Sequence, residues 1–292
     1  MKNYGKTAVL LAALGGLFIV LGGAFMGKSG LYLGLAIGLV MVGGSYWFSD
    51  KLAIASARGV EVSRAQAPEY YDIVTELTER AGLPMPRLYI APSDQPNAFA
   101  TGRGPKHAAV CINQGLLQLM SWDEVRGVIA HELTHIRNRD ILTGSIAAAV
   151  GMAITFAARM AMWGAMFGGG GNNRDRDNNP IALLATAILA PIAAMVIQMA
   201  ISRSREFEAD RSGAEMTGSP LSLARALEKL EAGTARIPMP LNPSTAQLFI
   251  ADPLKALGRG SGGGGGLGRM FSTHPPIPER VERLTELAQG IR

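Results

Sequence analysis

The sequence has little charge and almost no cysteine. Asp, Glu, Lys and Arg make up 17% of its 292 residues, whereas an ordinary soluble chain has about 25%. So little charge excludes a disordered chain, a long coiled coil and a charged tail of the kind that binds nucleic acid. The single cysteine, Cys111, excludes an intrachain disulfide and a Cys-rich zinc finger. Because it lies in an apolar run, we expect Cys111 to be buried.

Apolar residues and glycine are abundant instead. Residues of the types AVILMFWYC make up 48% of the chain, and the 36 glycines follow no three-residue period, which excludes collagen. The mean hydropathy is only +0.18, too low for a chain that lies almost wholly in a membrane. The net charge of +5 is too small to indicate a nucleic-acid partner. We therefore expect some segments to lie in a lipid bilayer and the rest in water.

The apolar residues are concentrated in four stretches. Residues 7–27, 29–49 and 179–202 contain no Asp, Glu, Lys or Arg, and residues 141–167 contain only Arg159. A helix that crosses the hydrocarbon core of a bilayer, roughly 30 Å thick, needs about 20 apolar residues. Each stretch is long enough, so the sequence predicts four transmembrane helices.

These helices are expected to form two hairpins, residues 1–50 and residues 141–202. The first stretch could instead be a signal peptide, since Lys2 and Lys6 precede it. Its apolar run is longer than usual, however, and no cleavage site follows. The alternative for the second hairpin is a pair of buried helices in a soluble core. Its length and the polar turn GGGGNNRDRDNNP between its halves favour a membrane hairpin.

The positive-inside rule then predicts the orientation of the chain. Nine Lys or Arg residues in the flanks and short loops fall on one side of the membrane, and three fall on the other. The first set is Lys2, Lys6, Lys51, Arg58, Arg64, Arg137, Arg139, Arg203 and Arg205, and the second is Lys28, Arg174 and Arg176. Both termini are therefore predicted to lie in the cytoplasm, together with a water-soluble part made of residues 51–140 and 203–292.

The soluble part has a mixture of helix and strand patterns. Prolines at helix starts, glycines at helix ends and short β-rich runs between turn residues mark the elements. The predicted helices cover residues 68–81, 121–136, 203–213, 219–233 and 278–289, and the predicted strands cover 87–90, 97–101 and 108–113. The helix that starts at 121 has a capping box, Ser121 with Glu124, and is expected to run unbroken into the third apolar stretch. Residues 258–268 are predicted to be a flexible Gly-rich loop, since no phosphate-binding Gly-Lys-Ser/Thr follows.

The capped helix carries the motif His131-Glu132-Leu133-Thr134-His135. Residues i and i+4 of a helix lie on one face, so the two imidazoles can share one Zn²⁺ at about 2.0–2.1 Å. Glu132 can reach a water molecule beside the metal, where a general base is needed. Two surface histidines on an amphipathic helix are the alternative, which the capped apolar helix around the motif disfavours.

A zinc site of this type needs a third protein ligand. The segment Ser204-Arg205-Glu206-Phe207-Glu208-Ala209-Asp210 offers one. Glu206 can bind the metal, and Asp210, one turn later, can accept the other ring N–H of a ligand histidine. Glu208 points to a different face and is interpreted as a solvated charge. The topology agrees, because a two-helix hairpin returns the chain to the side from which it left and so brings Glu206 back to the two histidines.

Three segments together resemble the HtpX membrane metalloproteases, bacterial relatives of the CAAX prenyl endopeptidases among the gluzincin-type zinc peptidases. They are V-I-A-H-E-L-T-H-I-R-N-R-D-I-L, S-R-S-R-E-F-E-A-D and F-S-T-H-P-P-I-P-E-R-V-E-R-L. The resemblance covers nearly the whole chain. It implies a mainly α membrane protein with four transmembrane helices and a cytoplasmic α+β gluzincin-type peptidase domain that has a small β-sheet.

The resemblance also implies a role for individual residues. His131, His135 and Glu206 would bind one zinc per chain, Glu132 would be the catalytic acid/base, and Asp210 would hold a ligand histidine. His274, in His-Pro-Pro, would stabilise the oxyanion of the reaction; its alternative is an ordinary loop residue. Asn97, Ala98 and Phe99 would form the edge strand along which a substrate lies, or else an ordinary strand. His107 matches nothing in the family.

The function implied is a zinc-dependent endopeptidase of the bacterial inner membrane that cleaves misfolded or damaged membrane proteins on the cytoplasmic side, as part of a stress response. Its partners would be polypeptide substrates and the lipid bilayer, with no nucleic acid. Two alternatives remain open. One is a processing peptidase for lipidated C-termini. The other is a non-catalytic membrane scaffold with a structural zinc, which would ordinarily require four protein ligands.

Overall fold

The computed structural model describes residues 2–144, 146, 203–236, 250 and 275–290. Apart from residues 141–144 and 146, the predicted second transmembrane hairpin lies outside these residues. So do Arg159, the Gly-rich segment 258–268 and His274.

The described chain is mostly helical with one small sheet. Its helices are α1 (Lys2–Ser56), α2 (Pro68–Ala81), α3 (Gln114–Leu119), α4 (Trp122–Arg137), α5 (Arg203–Thr217), α6 (Pro220–Arg236) and α7 (Ile277–Ala288), and its strands are β1 (Val60–Glu61), β2 (Arg87–Ala91), β3 (Ala98–Gly102) and β4 (Ala108–Asn113). A 3-10 turn at Pro105–His107 precedes β4. The predicted strands and most predicted helices are confirmed within one or two residues. The ends of α5 and α6 were wrong, because α5 continues past Gly213 to Thr217 and α6 continues through Gly233 to Arg236.

Helix α1 is not straight. A Cβ placed on Gly34 would lie 2.2 Å from the carbonyl oxygen of Phe18, and one on Gly38 would lie 3.2 Å from that of Gly15. On a straight helix, residues 16 positions apart are about 24 Å apart, so the two halves of α1 lie against each other. Among the described residues no single helix is both long and apolar enough to cross a membrane. Lys28–Gly44 and Tyr46–Ser56 meet that requirement only together, as a pair bent by 69°.

The sheet has four strands in the order β1-β2-β4-β3. β2 and β4 pair in parallel, whereas β1 and β3 pair antiparallel to their neighbours. Among the described residues, β3 is therefore an edge strand that is paired through its backbone on one side only. β3 also lies against α4, the helix that carries the histidine motif.

Both faces of the sheet are covered. Side chains alternate between the faces of a strand, and Leu88, Val110 and Ile112 accordingly join the main core with α2, α4 and α6. The opposite face forms a second cluster in which Tyr89, Phe99, Ala109 and Cys111 pack against Ala53 and Ile54 of α1. Cys111 is fully buried there, as predicted, and burial raises the pKa of its thiol to about 12.

The end of α4 departs from the sequence prediction. The helix begins as predicted, with the amide of Ser121 donating to the Glu124 carboxylate at 2.8 Å. It does not run on into the third apolar stretch, however, because it ends at Arg137. A two-residue turn follows, in which Arg139 adopts a left-handed φ of 58°, and a new helix begins at Asp140.

Candidate metal centre

Helices α4 and α5 bring three metal-binding side chains to one point. The Nε2 atoms of His131 and His135 lie 3.2 Å apart. Glu206 approaches both, with Oε2 3.8 Å from Nε2 of His131 and Oε1 3.6 Å from Nε2 of His135. His131 and Glu206 are buried and His135 is partly buried. Among the described residues these three form the one cluster that can hold a metal in this way.

The spacing of the three donors fits a small tetrahedral cation. Zinc bonds of about 2.0–2.1 Å place neighbouring ligand atoms about 3.4 Å from one another. The two nitrogens are 3.2 Å apart, and each lies 3.6 or 3.8 Å from a different oxygen of Glu206. The donors are two imidazoles and one carboxylate, the set that catalytic zinc sites commonly use. Three ligands leave a fourth position for a reactant.

A close packing of backbones sets the distance between the two helices. A Cβ on Gly213 of α5 would lie 2.9 Å from the backbone nitrogen of His131, closer than real Cβ atoms come to such an atom. Only glycine permits this approach. Since Glu206 and Gly213 are seven residues apart and so lie on one face of α5, the same contact brings Glu206 within reach of the histidines.

Glu132 lies beside the three ligands and is held by the edge strand. Its Oε2 accepts a hydrogen bond of 2.7 Å from the backbone N–H of Ala100 in β3. Glu132 is only 5% exposed, and burial raises the pKa of its carboxyl group, although His131, His135 and the Ala100 amide partly oppose the increase. A buried carboxylate with a raised pKa next to three side chains that can bind a metal suits a group that accepts and releases protons.

His131 is supported from behind by a buried ion pair. Its Nδ1 lies 2.9 Å from Oδ1 of Asp210, which is hydrogen-bond distance, although the N–H direction is not aligned with that oxygen. Asp210 receives two bonds from Arg280 of α7, at 2.6 and 2.7 Å. Burial would raise the pKa of Asp210, but Arg280 and His131 outweigh it, and the net shift is downward.

His135 has a carboxylate partner of its own. Nδ1 of His135 lies 3.2 Å from Oδ2 of Asp140, and Nη1 of Arg205 lies 3.3 Å from Oδ1 of the same carboxylate. Burial disfavours the charged imidazole, but Asp140, Glu206 and Glu132 together raise the pKa of His135 to about 9. A metal binding at its Nε2 must therefore displace a proton at neutral pH.

The residues predicted to bind substrate lie on β3 or next to it. Asn97 precedes the strand, and its side-chain oxygen accepts a bond of 3.1 Å from the backbone of Ile250. Its carbonyl accepts from the Asn113 amide at 2.8 Å, so the alternate residues Ala98 and Ala100 direct their backbone groups away from β4. The Ala98 and Phe99 side chains are buried. The edge therefore presents its backbone, not these side chains.

Four residues of this region were missed by sequence reasoning. They are Ala100, Asp140, Arg205 and Arg280. Arg280 is fully buried and also donates to the carbonyl of Ile250 at 3.1 Å. A charged residue inside the last predicted helix was the available signal, but nothing in the sequence identifies its partner 70 positions away. Glu208 is exposed, as interpreted from its position, and His107 ends the turn before β4.

Comparisons with known proteins agree with this geometry. The model of peptidase family M48 matches residues 64–288. A protease HtpX homolog of Syntrophobacter fumaroxidans is 51% identical over 97% of this chain and 98% of its own. A protease HtpX homolog of Paraburkholderia phytofirmans is 49% identical over 99% of this chain and 98% of its own.

A solved structure shares the fold. Ste24p of S. mikatae superposes with a TM-score of 0.50 at 17% identity, over 96% of this chain and 64% of the Ste24p chain. The chain thus spans less than two thirds of Ste24p. With the family model covering most of the chain, and with relatives at about half identity over nearly their full length, this protein belongs to peptidase family M48 and is a metalloprotease.

Proposed function

We propose that this metalloprotease is a zinc-dependent endopeptidase of the bacterial inner membrane, which cleaves misfolded or damaged membrane proteins on the cytoplasmic side. The observation that carries the proposal is the junction of three features. These are the cluster of His131, His135 and Glu206, the buried Glu132 beside it, and the edge strand β3 alongside.

His131, His135 and Glu206 would hold the metal. When bound, a zinc ion supplies a Lewis acid that polarises the scissile carbonyl and lowers the pKa of a water molecule. Glu132 accepts the proton of the attacking water and passes it to the leaving amine. The hydrogen bond from the Ala100 amide holds the Glu132 carboxylate in place while this happens. His274 is proposed to stabilise the oxyanion, a role that rests on the family resemblance.

The substrate is proposed to bind in an extended conformation along β3. An edge strand recognises a peptide through its backbone, which is independent of sequence. Ala98 and Ala100 direct their backbone groups to that side, and Ala100 also holds Glu132. A substrate strand added here lies next to the metal ligands. Backbone recognition of this kind suits a protease whose substrates share an unfolded state and not a sequence.

The surface of α1 supports a membrane location. Large apolar side chains between residues 31 and 48 are widely exposed, and Tyr32 and Val40 are more than 70% exposed. Lipid accommodates such a surface, whereas water does not. Trp47 and Phe48 end it, with Arg103 4.3 Å from the Trp47 ring and Lys51 5.4 Å from the Phe48 ring. Aromatic and basic residues together are typical of a membrane–water interface.

Glu132→Gln tests the mechanism. Glutamine keeps the shape but cannot accept the proton, so we expect zinc content to stay near wild type while cleavage of an unfolded protein substrate falls by at least about 100-fold. Zinc is measured by elemental analysis of the detergent-purified chain, and cleavage by gel. Glu206→Ala is the matched variant and should lose zinc as well as activity.

The two variants separate the parts of the proposal. Retained proteolysis in Glu132→Gln would refute Glu132 as the proton carrier. Normal zinc content in Glu206→Ala would remove Glu206 from the site. A parallel panel of lipidated C-terminal peptides tests the substrate class, because efficient cleavage of those peptides alone would favour a processing peptidase.

A further inference from the structure

The break after α4 places an acidic residue against a metal-binding histidine. Asp140 is five residues after His135. On an unbroken helix a residue five positions on is rotated by about 140° and displaced by about 7.5 Å, so its side chain leaves the histidine face. Here the helix ends at Arg137, and the chain turns at Asn138 and Arg139, where Arg139 has a φ of 58°. As a result Oδ2 of Asp140 lies 3.2 Å from Nδ1 of His135.

A second chain segment holds Asp140 in place. Its other oxygen, Oδ1, lies 3.3 Å from Nη1 of Arg205, the residue directly before Glu206. Asp140 is 8% exposed and the Arg205 side chain 18% exposed, so water competes little for either contact. One carboxylate thus connects the second metal-binding histidine to the helix that supplies the third ligand.

A simpler explanation for Asp140 is its place in the first turn of a helix, where a negative charge is favourable on its own. That explanation does not require the carboxylate to lie between an imidazole and a guanidinium. The other histidine has the same surroundings, since His131 contacts Asp210, and Arg280 donates to Asp210. Each of the two neighbouring imidazoles thus has its own carboxylate–guanidinium pair behind it. This repetition indicates that both pairs have the same role toward the histidine they contact.

We propose that Asp140, fixed by Arg205, is a positioning residue for the metal centre. It orients the His135 ring so that Nε2 faces the other donors, and it increases the electron-donating strength of that nitrogen. Asp140 comes directly before segment 141–202 and Arg205 follows that segment, so their contact connects the two parts of the chain on either side of it. This inference rests on the proposed zinc site.

The test is a zinc titration of the full-length, detergent-purified chain against a competing chelator. Asp140→Ala should weaken zinc binding about 10- to 100-fold, the range found when such outer partners are removed. Asp140→Asn keeps an acceptor oxygen but not the charge, so its affinity should lie between those of Asp140→Ala and wild type. Arg205→Ala should weaken binding less than Asp140→Ala, and Arg205→Lys should restore much of that loss. The Co²⁺-loaded variants at Asp140 should show a shifted visible absorption spectrum.

Two matched variants control for loss of charge alone. Asp72→Ala breaks an exposed pair with Arg64, and Arg211→Ala breaks an exposed pair with Glu215 on α5. Neither should change zinc affinity or the Co²⁺ spectrum. The melting temperature of each zinc-free variant is measured alongside, because a purely structural role would lower it without changing the spectrum.

Each result supports or overturns the inference. Wild-type zinc affinity in Asp140→Ala or in Asp140→Asn overturns it, and so does a weakened affinity accompanied by an unchanged Co²⁺ spectrum. If Asp140→Ala fails to fold, Asp140→Asn decides. A wild-type chain that binds no zinc removes the zinc proposal and this one together. A wild-type chain that binds zinc, with Asp140 variants that bind it equally well, removes only this one.

Discussion

At the scale of single residues, the proposed metal ligands and the charges behind them differ in how far the sequence reveals them. His131, Glu132 and His135 are recognisable because helical spacing alone puts the two histidines on one face. Glu206 and Asp210 follow the same rule one helix later. Arg280 has no such local relation to its partner, since Asp210 lies 70 positions earlier in the chain. Only the packing of α7 against α5 brings them together.

Arg280 is expected to be essential for stability. It is fully buried, and it neutralises an equally buried Asp210. Arg280→Met would leave that carboxylate buried without a cation, which costs about 3–5 kcal/mol of unfolding free energy. Chemical denaturation in detergent measures the change. A loss below about 1 kcal/mol would contradict this account.

Two further variants separate the effect of the Arg280 charge from that of losing a side chain. Arg283→Met, one turn along α7, removes an exposed arginine that pairs with Glu279 and lies over Phe207, and should cost less than about 1 kcal/mol. The double variant Arg280→Met, Asp210→Asn should be more stable than the sum of the two single losses predicts, because neither charge is then left alone.

At the scale of elements, the sequence predicts what local pattern determines and misses what packing determines. The capping box starts α4 where expected, and Gly82 ends α2 in a left-handed conformation. The two-residue β1 is too short to show a pattern, and it exists because β2 pairs with it. The break at residues 138–139 was missed because arginine is not a residue that favours positive φ.

The crossing of α4 and α5 gives a prediction for an element. Gly213→Ala would place a methyl group 2.9 Å from the backbone of His131, and a backbone atom cannot turn aside as a flexible side chain can. We expect α5 to move away, with a loss of about 1–3 kcal/mol of stability and weaker zinc binding as Glu206 recedes. Thermal unfolding and chelator competition measure the two effects.

Gly43→Ala provides the comparison for this substitution. Nothing lies within 4 Å of a Cβ placed at Gly43, so the change there should be neutral or stabilising, by up to about 1 kcal/mol of helix propensity. Zinc affinity that is unchanged in Gly213→Ala would show that the helix crossing does not set the position of Glu206.

At the scale of the whole molecule, the proposed orientation of the chain in the membrane can be tested by cysteine labelling. The native sequence is suitable without further changes, since Cys111 is its single cysteine. Cys111 is buried, and its pKa is raised to about 12, so it should not react with maleimides near neutral pH. A single cysteine introduced elsewhere then reports its own location. Asn172→Cys, between the third and fourth apolar stretches, should react with a membrane-impermeant maleimide in intact spheroplasts.

Ser261→Cys, in the Gly-rich segment, is the second labelling position in this experiment. It should stay unlabelled in intact spheroplasts and react only after lysis, because the positive-inside count puts it in the cytoplasm. Labelling of Ser261→Cys before lysis would contradict the proposed orientation. Labelling of both positions before lysis would contradict the second membrane hairpin.

The end of α1 has a consequence for how such a protein can be altered. Ala53 and Ile54 complete one apolar face of the sheet, and Asp50 pairs with Arg87 on β2. The other face of that sheet lies on the helix that bears the histidines. The C-terminal end of α1 is therefore part of the packed core of the peptidase. Without these last turns, Tyr89, Phe99 and Cys111 would lose the apolar side chains that cover them.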